Sequence, residues 1–123
     1  MKKSPTKKNL PGKGGKPVNG AAADWIGHYA VDPEEVRLFC SRHDLFQDGD
    51  KAVTMAKKIL RPRHLRVVVE GDPEGTGEWL VLDVDMQGPV DEALAAYHRL
   101  KKEWLTHLPA ARRGLMRLLY NIV

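Results

Sequence analysis

Residues 64–86, HLRVVVEGDPEGTGEWLVLDVDM, decide the fold. Val67, Val68 and Val69 form a β-branched run that suits a pleated backbone better than a helix. Glu78–Met86 alternates, with Leu80, Leu82, Val84 and Met86 on one face and Trp79, Val81, Asp83 and Asp85 on the other. Between the two runs, Gly71–Gly77 holds three glycines and a proline, the composition of a hairpin loop. The stretch therefore predicts an antiparallel β-hairpin. Two strands alone are marginal in water, so helices must cover one face. The other face, bearing Trp79 and Val81, is left for a partner or for a second copy of the chain, met face to face or at an open strand edge.

Working back from the hairpin, two helices are legible. Asp32, Pro33 and Glu35 supply an N-cap, a first-turn proline and a capping-box acid, and Val31 and Val36 occupy the positions of a hydrophobic staple. Val36, Phe39, Cys40 and His43 follow at helical spacing, and the helix should end near Asp44. After a loop at residues 45–49, Asp48 or Asp50 can cap a second helix whose apolar face is Ala52, Val53, Ala56, Ile59 and Leu60. Lys57, Lys58 and Arg61 suit the negative end of its dipole, and Pro62 stops it. Upstream, Trp25, Ile26, Tyr29 and Val31 read as a short strap laid on the core.

Forward of the hairpin, Gly88-Pro89 opens a third helix with the stripe Val90, Leu94, Tyr97, Trp104 and Leu108. Pro109 breaks it and starts a fourth, lined by Ala111, Leu115, Leu118, Leu119 and Ile122. The expected architecture is a single α+β domain over residues 23–123, in the order ααββαα, with the hairpin packed against helices. A disordered basic tail over residues 1–22 precedes it.

That tail dominates the charge. Six lysines and no acid fall in residues 1–20, while the whole chain has 20 basic and 16 acidic residues. The remaining 14 basic residues face 16 acids, so the basic character belongs to the tail and not to the body. Its Lys, Gly and Pro content cannot bury enough surface to offset the entropy of ordering. With 42% hydrophobic residues over 123, the chain can still bury one core. The single cysteine excludes an internal disulfide and suits a reducing, cytoplasmic setting. No apolar run follows the basic start, as a signal peptide would require, and none reaches the length of a membrane span.

Each chemically suggestive cluster also has a plainer reading. Asp83 and Asp85 alternate on a strand, so their carboxylates point the same way, as in pairs that hold a divalent cation for phosphoryl transfer. Glu70 on the neighbouring strand is a conceivable third ligand. The plainer reading is an acidic strand face that discourages aggregation, and no Gly-Ser element or nuclease-type lysine accompanies the pair. The glycine-rich loop lacks the Gly-Lys-Ser/Thr of a phosphate cradle, leads into a strand and is rich in carboxylates. Residues 44–49 have a faint calcium-loop look, but Phe46 and Met55 stand where oxygen ligands are required. Cys40 and His43 lie three apart, but Cys40 falls on an apolar stripe and reads as an inert buried thiol. The other histidines show no metal spacing. No cofactor or metal site is expected.

Basic side chains remain. Lys7 and Lys8 in the tail, with Arg112, Arg113 and Arg117 in the fourth helix, are candidate nucleic-acid contacts, and Arg113, Arg117 and Tyr120 would share one helix face. The apolar chain end makes Tyr120 and Ile122, with Trp79 and Val81, candidate partner contacts. The sequence thus points first to a non-catalytic interaction or accessory module with a protein partner or as a homodimer. The alternatives are a nucleic-acid-associated protein using the tail, and a metal-dependent enzyme centred on Asp83 and Asp85.

Overall fold

The computed structural model describes residues 24–123; the tail, with Lys7 and Lys8, lies outside them. The elements are α1 (Asp24–Tyr29), α2 (Pro33–His43), α3 (Phe46–Leu60), β1 (His64–Gly71), β2 (Glu78–Met86), α4 (Val90–His107), α5 (Ala110–Arg113) and β3 (Met116–Ile122). The fold is α+β with a mixed three-stranded sheet in the order β1-β2-β3. β1 and β2 form the expected antiparallel hairpin, with Val67 opposite Leu82 and Arg66 opposite Asp83.

The expected order ααββαα needs correction at both ends. Trp25 and Ile26 lie buried on a helix rather than a strap. The fourth helix does not form beyond Arg113: after Gly114 the chain runs as β3, parallel to β2, pairing Leu80 with Met116 and Met86 with Ile122. Residues 116–122, MRLLYNI, satisfy two periodicities. Leu115, Leu118, Leu119 and Ile122 fit a helical face, but Met116, Leu118, Tyr120 and Ile122 also alternate. The open edge of β2 decides between them, because pairing there satisfies a row of backbone groups that would otherwise face solvent. The α4–α5 segment is the crossover that a parallel neighbour requires.

All the helices lie on one face of the sheet, giving a two-layer arrangement. Leu80, Leu82, Val84, Met86, Val67 and Met116 meet Trp25, Ile26, Val36, Phe39, Cys40, Leu45, Ala52, Ala56, Leu100 and Trp104 in one core. α2 begins as the sequence predicts, with the Asp32 carboxylate accepting from the Glu35 amide at 3.2 Å. Val31, expected to staple that helix, is 64% exposed. Its amide instead donates to the Val67 carbonyl at 3.0 Å, so Ala30 and Val31 lean on the outer edge of β1. α3 starts two residues before Asp48, because Leu45 is fully buried and fixes the chain there. The first turn of α3 packs on Trp25 closely enough that a Cβ on Gly49 would collide with the indole. The Trp25 indole N–H donates to the Phe46 carbonyl at 3.1 Å and fixes the same contact from the polar side.

Candidate interaction surfaces

Three surfaces collect the polar and charged side chains. The first is the sheet face turned away from the helices. Register places His64, Arg66, Val68 and Glu70 beside Asp85, Asp83, Val81 and Trp79, with Asn121, Leu119 and Arg117 beyond. The two aspartates do share a side, as alternation requires, but they do not stand open. Arg66 donates to Asp85 at 3.0 and 3.2 Å and to Asp83 at 3.3 Å. The Asn121 amide donates to both carboxylates at 3.1 Å. The Arg66 hydrogen bonds, followed by that of Asn121, hold the Asp85 carboxyl below its ordinary range. The same bonds raise Arg66 further above its already high value. A cation seeking this pair would have to displace a guanidinium already bonded to three carboxylate oxygens. Among the described residues, no three His, Cys, Asp or Glu side chains are placed to hold a metal ion.

On the same face the Arg117 guanidinium lies 3.7 Å from the centroid of the Trp79 ring. Val81 is 1% exposed although it belongs to no part of the core on the opposite side. The chain itself therefore covers Val81 and lays a cation over Trp79. Tyr120 and Ile122 point the other way, half-buried against the helical layer, where the Tyr120 ring sits 4.3 Å from that of Tyr97. The four candidate partner residues occupy opposite faces of one sheet and cannot form a single patch.

The second surface lies around α5. Arg112 donates to Asp48 at 3.0 Å and to Asp44 at 3.3 Å. Asp48 is the buried acid of the described residues, and Asp44 caps α2 in the left-handed conformation at φ 55°. The guanidinium ties the α2–α3 corner to the crossover. Arg113 donates to the Leu105 carbonyl at 2.8 Å, at the far end of α4. Arg113, Arg117 and Tyr120 were expected on one helix face. They stand instead on α5, on the open sheet face and on the packed sheet face, and the two arginines are engaged inside the chain. The residues proposed for nucleic acid therefore do not converge among those described.

The remaining sequence motifs resolve into local structure. Asp72 closes the hairpin loop by accepting from the Glu74 amide at 2.9 Å and from the Thr76 hydroxyl, and these bonds lower its pKa. Gly75 supplies the positive φ, 76°, that the turn needs. Cys40 is fully buried, and burial pushes its thiol up to about 12, far from the thiolate a nucleophile requires. His43 packs its ring 4.5 Å from Phe39.

The third surface was not assembled from the sequence. Between α3 and α4 lies an open groove of about 750 Å³. Met55 and Ile59, both half-buried against the core, lie at its base. Lys51 and Lys58 from α3 and Arg99 and Lys102 from α4 stand along it, all exposed. None of these four forms an ion pair among the described residues, while the Glu103 carboxylate in the wall is engaged by His107 at 3.0 Å. The signal was present: Lys51, Met55, Lys58 and Ile59 are spaced 4, 7 and 8 apart and so share a helical face. It was hidden because Lys58 also suits the helix dipole, and only the packing of α4 beside α3 doubles the charge.

No protein-family model, curated protein or solved structure matches this chain. Among the described residues, no helix is long and apolar enough to cross a membrane.

Proposed function

We propose that the protein is a non-catalytic interaction module whose binding surface is the α3–α4 groove, and that its partner is anionic. One observation carries the reading: Lys51, Lys58, Arg99 and Lys102 surround a concave surface with no carboxylate partner of their own among the described residues. By contrast, Arg66 and Arg112 are paired with acids, and Arg117 is stacked on Trp79. Unpaired like charges held together on a folded surface repel one another, and an anionic partner relieves that repulsion while it binds. The side chains with chemical potential support the same reading. Asp83 and Asp85 are held by Arg66 and Asn121, and the Cys40 thiol is buried and protonated.

The test is an amide-resolved NMR titration with polyglutamate, which offers charge without shape. Shifts should cluster on residues 51–59 and 99–107. They should weaken as salt rises, because exposed charges are screened within about 10 Å at 0.1 M ionic strength. The double variant Lys58→Glu, Lys102→Glu should abolish them. Shifts concentrated on the open sheet face, or none at all, would refute the groove as the binding surface.

A further inference from the structure

The groove has a floor as well as a rim, and the floor bears on the kind of partner. We infer that it receives an acidic amphipathic helix, an inference that rests on the groove being the binding surface. Met55 and Ile59 are apolar, half-buried and placed between the basic side chains of the two helices. A polyanion bound through charge alone gains nothing from them. A helix with an apolar stripe would cover them and carry its acids outward to Lys51, Lys58, Arg99 and Lys102. Met55 suits the task because an unbranched, polarizable side chain adapts to different anchors.

Length agrees. From Lys51 to Ile59 the α3 wall spans eight residue steps, about 12 Å at the helical rise, or about two turns. A partner helix lying between α3 and α4 would therefore present apolar anchors one and two turns apart and pack as a third helix on a pair.

Other occupants fit less well. The chain's own residues 1–20 carry six lysines and no acid, so they share the sign of the rim. Single-stranded nucleic acid gains much of its binding from bases stacked on aromatic rings, and among the described residues no aromatic side chain other than His107 lines the groove.

The experiment uses the full chain and fluorescence anisotropy. The probe is a labelled helical peptide of about four turns, with leucine along one face and glutamate on its flanks. The comparators are a scrambled peptide of the same composition, polyglutamate and an oligothymidylate. The helical peptide should bind about tenfold tighter than its scramble, a difference that reads out the apolar stripe at constant charge. Lys58→Glu with Lys102→Glu should weaken it about tenfold or more. Met55→Gln should weaken the helical peptide several-fold and leave polyglutamate binding unchanged, with circular dichroism confirming that each variant is folded. Equal binding of peptide and scramble, or tighter binding of the oligothymidylate, overturns the helix inference and leaves the groove standing. Failure of every anionic probe to bind overturns both.

Discussion

Alternate side chains of β2 live in two different environments. Leu80, Leu82, Val84 and Met86 are sealed under the helical layer, each at most 2% exposed. Trp79, Val81, Asp83 and Asp85 face away from it, and no helix covers them. The chain protects this second face with its own long side chains, Arg117 lying over Trp79 and Arg66 over the two aspartates. The first face is held by exclusion of water and depends on every helix at once. The second is held largely by pairwise side-chain contacts between neighbouring strands, whose charged members remain partly open to water. A sheet can leave one side without a second layer when its outward residues satisfy one another, and the unpaired cations then lie on the helices instead.

Breaking the packed face should cost most. Leu82→Ala removes a fully buried side chain from the middle of the central strand and should destabilise the fold by about 2–5 kcal/mol, read from the denaturant midpoint at constant slope. Breaking the open face should cost less. Arg66→Ala leaves Asp83 and Asp85 side by side without their cation. Because the Arg66 side chain is 37% exposed, water and salt compensate much of that, and the expected loss is about 1 kcal/mol. A loss as large as that of Leu82→Ala would erase the distinction between the faces.

The smallest effect is read through pH. Asp85 titrates below its ordinary range in the folded chain, so it binds a proton more readily once unfolded. Its contribution is present above the unfolded value, about 3.9, and is lost as pH falls through the lower folded value. Melting temperatures followed from pH 7 to pH 2 should fall on the acid side. Asp85→Asn should flatten part of that fall, Asp72 supplying a remainder of the same sign. An unchanged acid limb in the variant would show that the Arg66 contacts do not persist in solution.

How much of this was legible in the sequence depends on how local the cause is. The α2 start is written in adjacent residues, and the β2 boundaries follow from alternation and flanking glycines. The facing of Asp83 and Asp85 also follows from alternation, but their neutralisation does not, because it needs the hairpin register and a third strand to bring Arg66 and Asn121 alongside. β3 was unreadable for a related reason: residues 116–122 carry helical and extended patterns at once, and the choice lies with a strand edge contributed from residues 80–86. Arg112 meets Asp44 and Asp48 across separations of 68 and 64 residues, beyond the reach of any motif. The groove was half legible, since α3 displays its lysines and apolar residues at helical spacing and says nothing of α4.

Cys40 has a use that follows from its inertness. It is the chain's one thiol, sealed between α2 and the sheet and held protonated by burial. In the closed state an alkylating reagent has neither access nor a thiolate to attack. Each reaction event therefore marks an excursion, local or global, that opens the core around Cys40. The native protein carries its own clock for such opening, readable by mass without adding a label site or a dye.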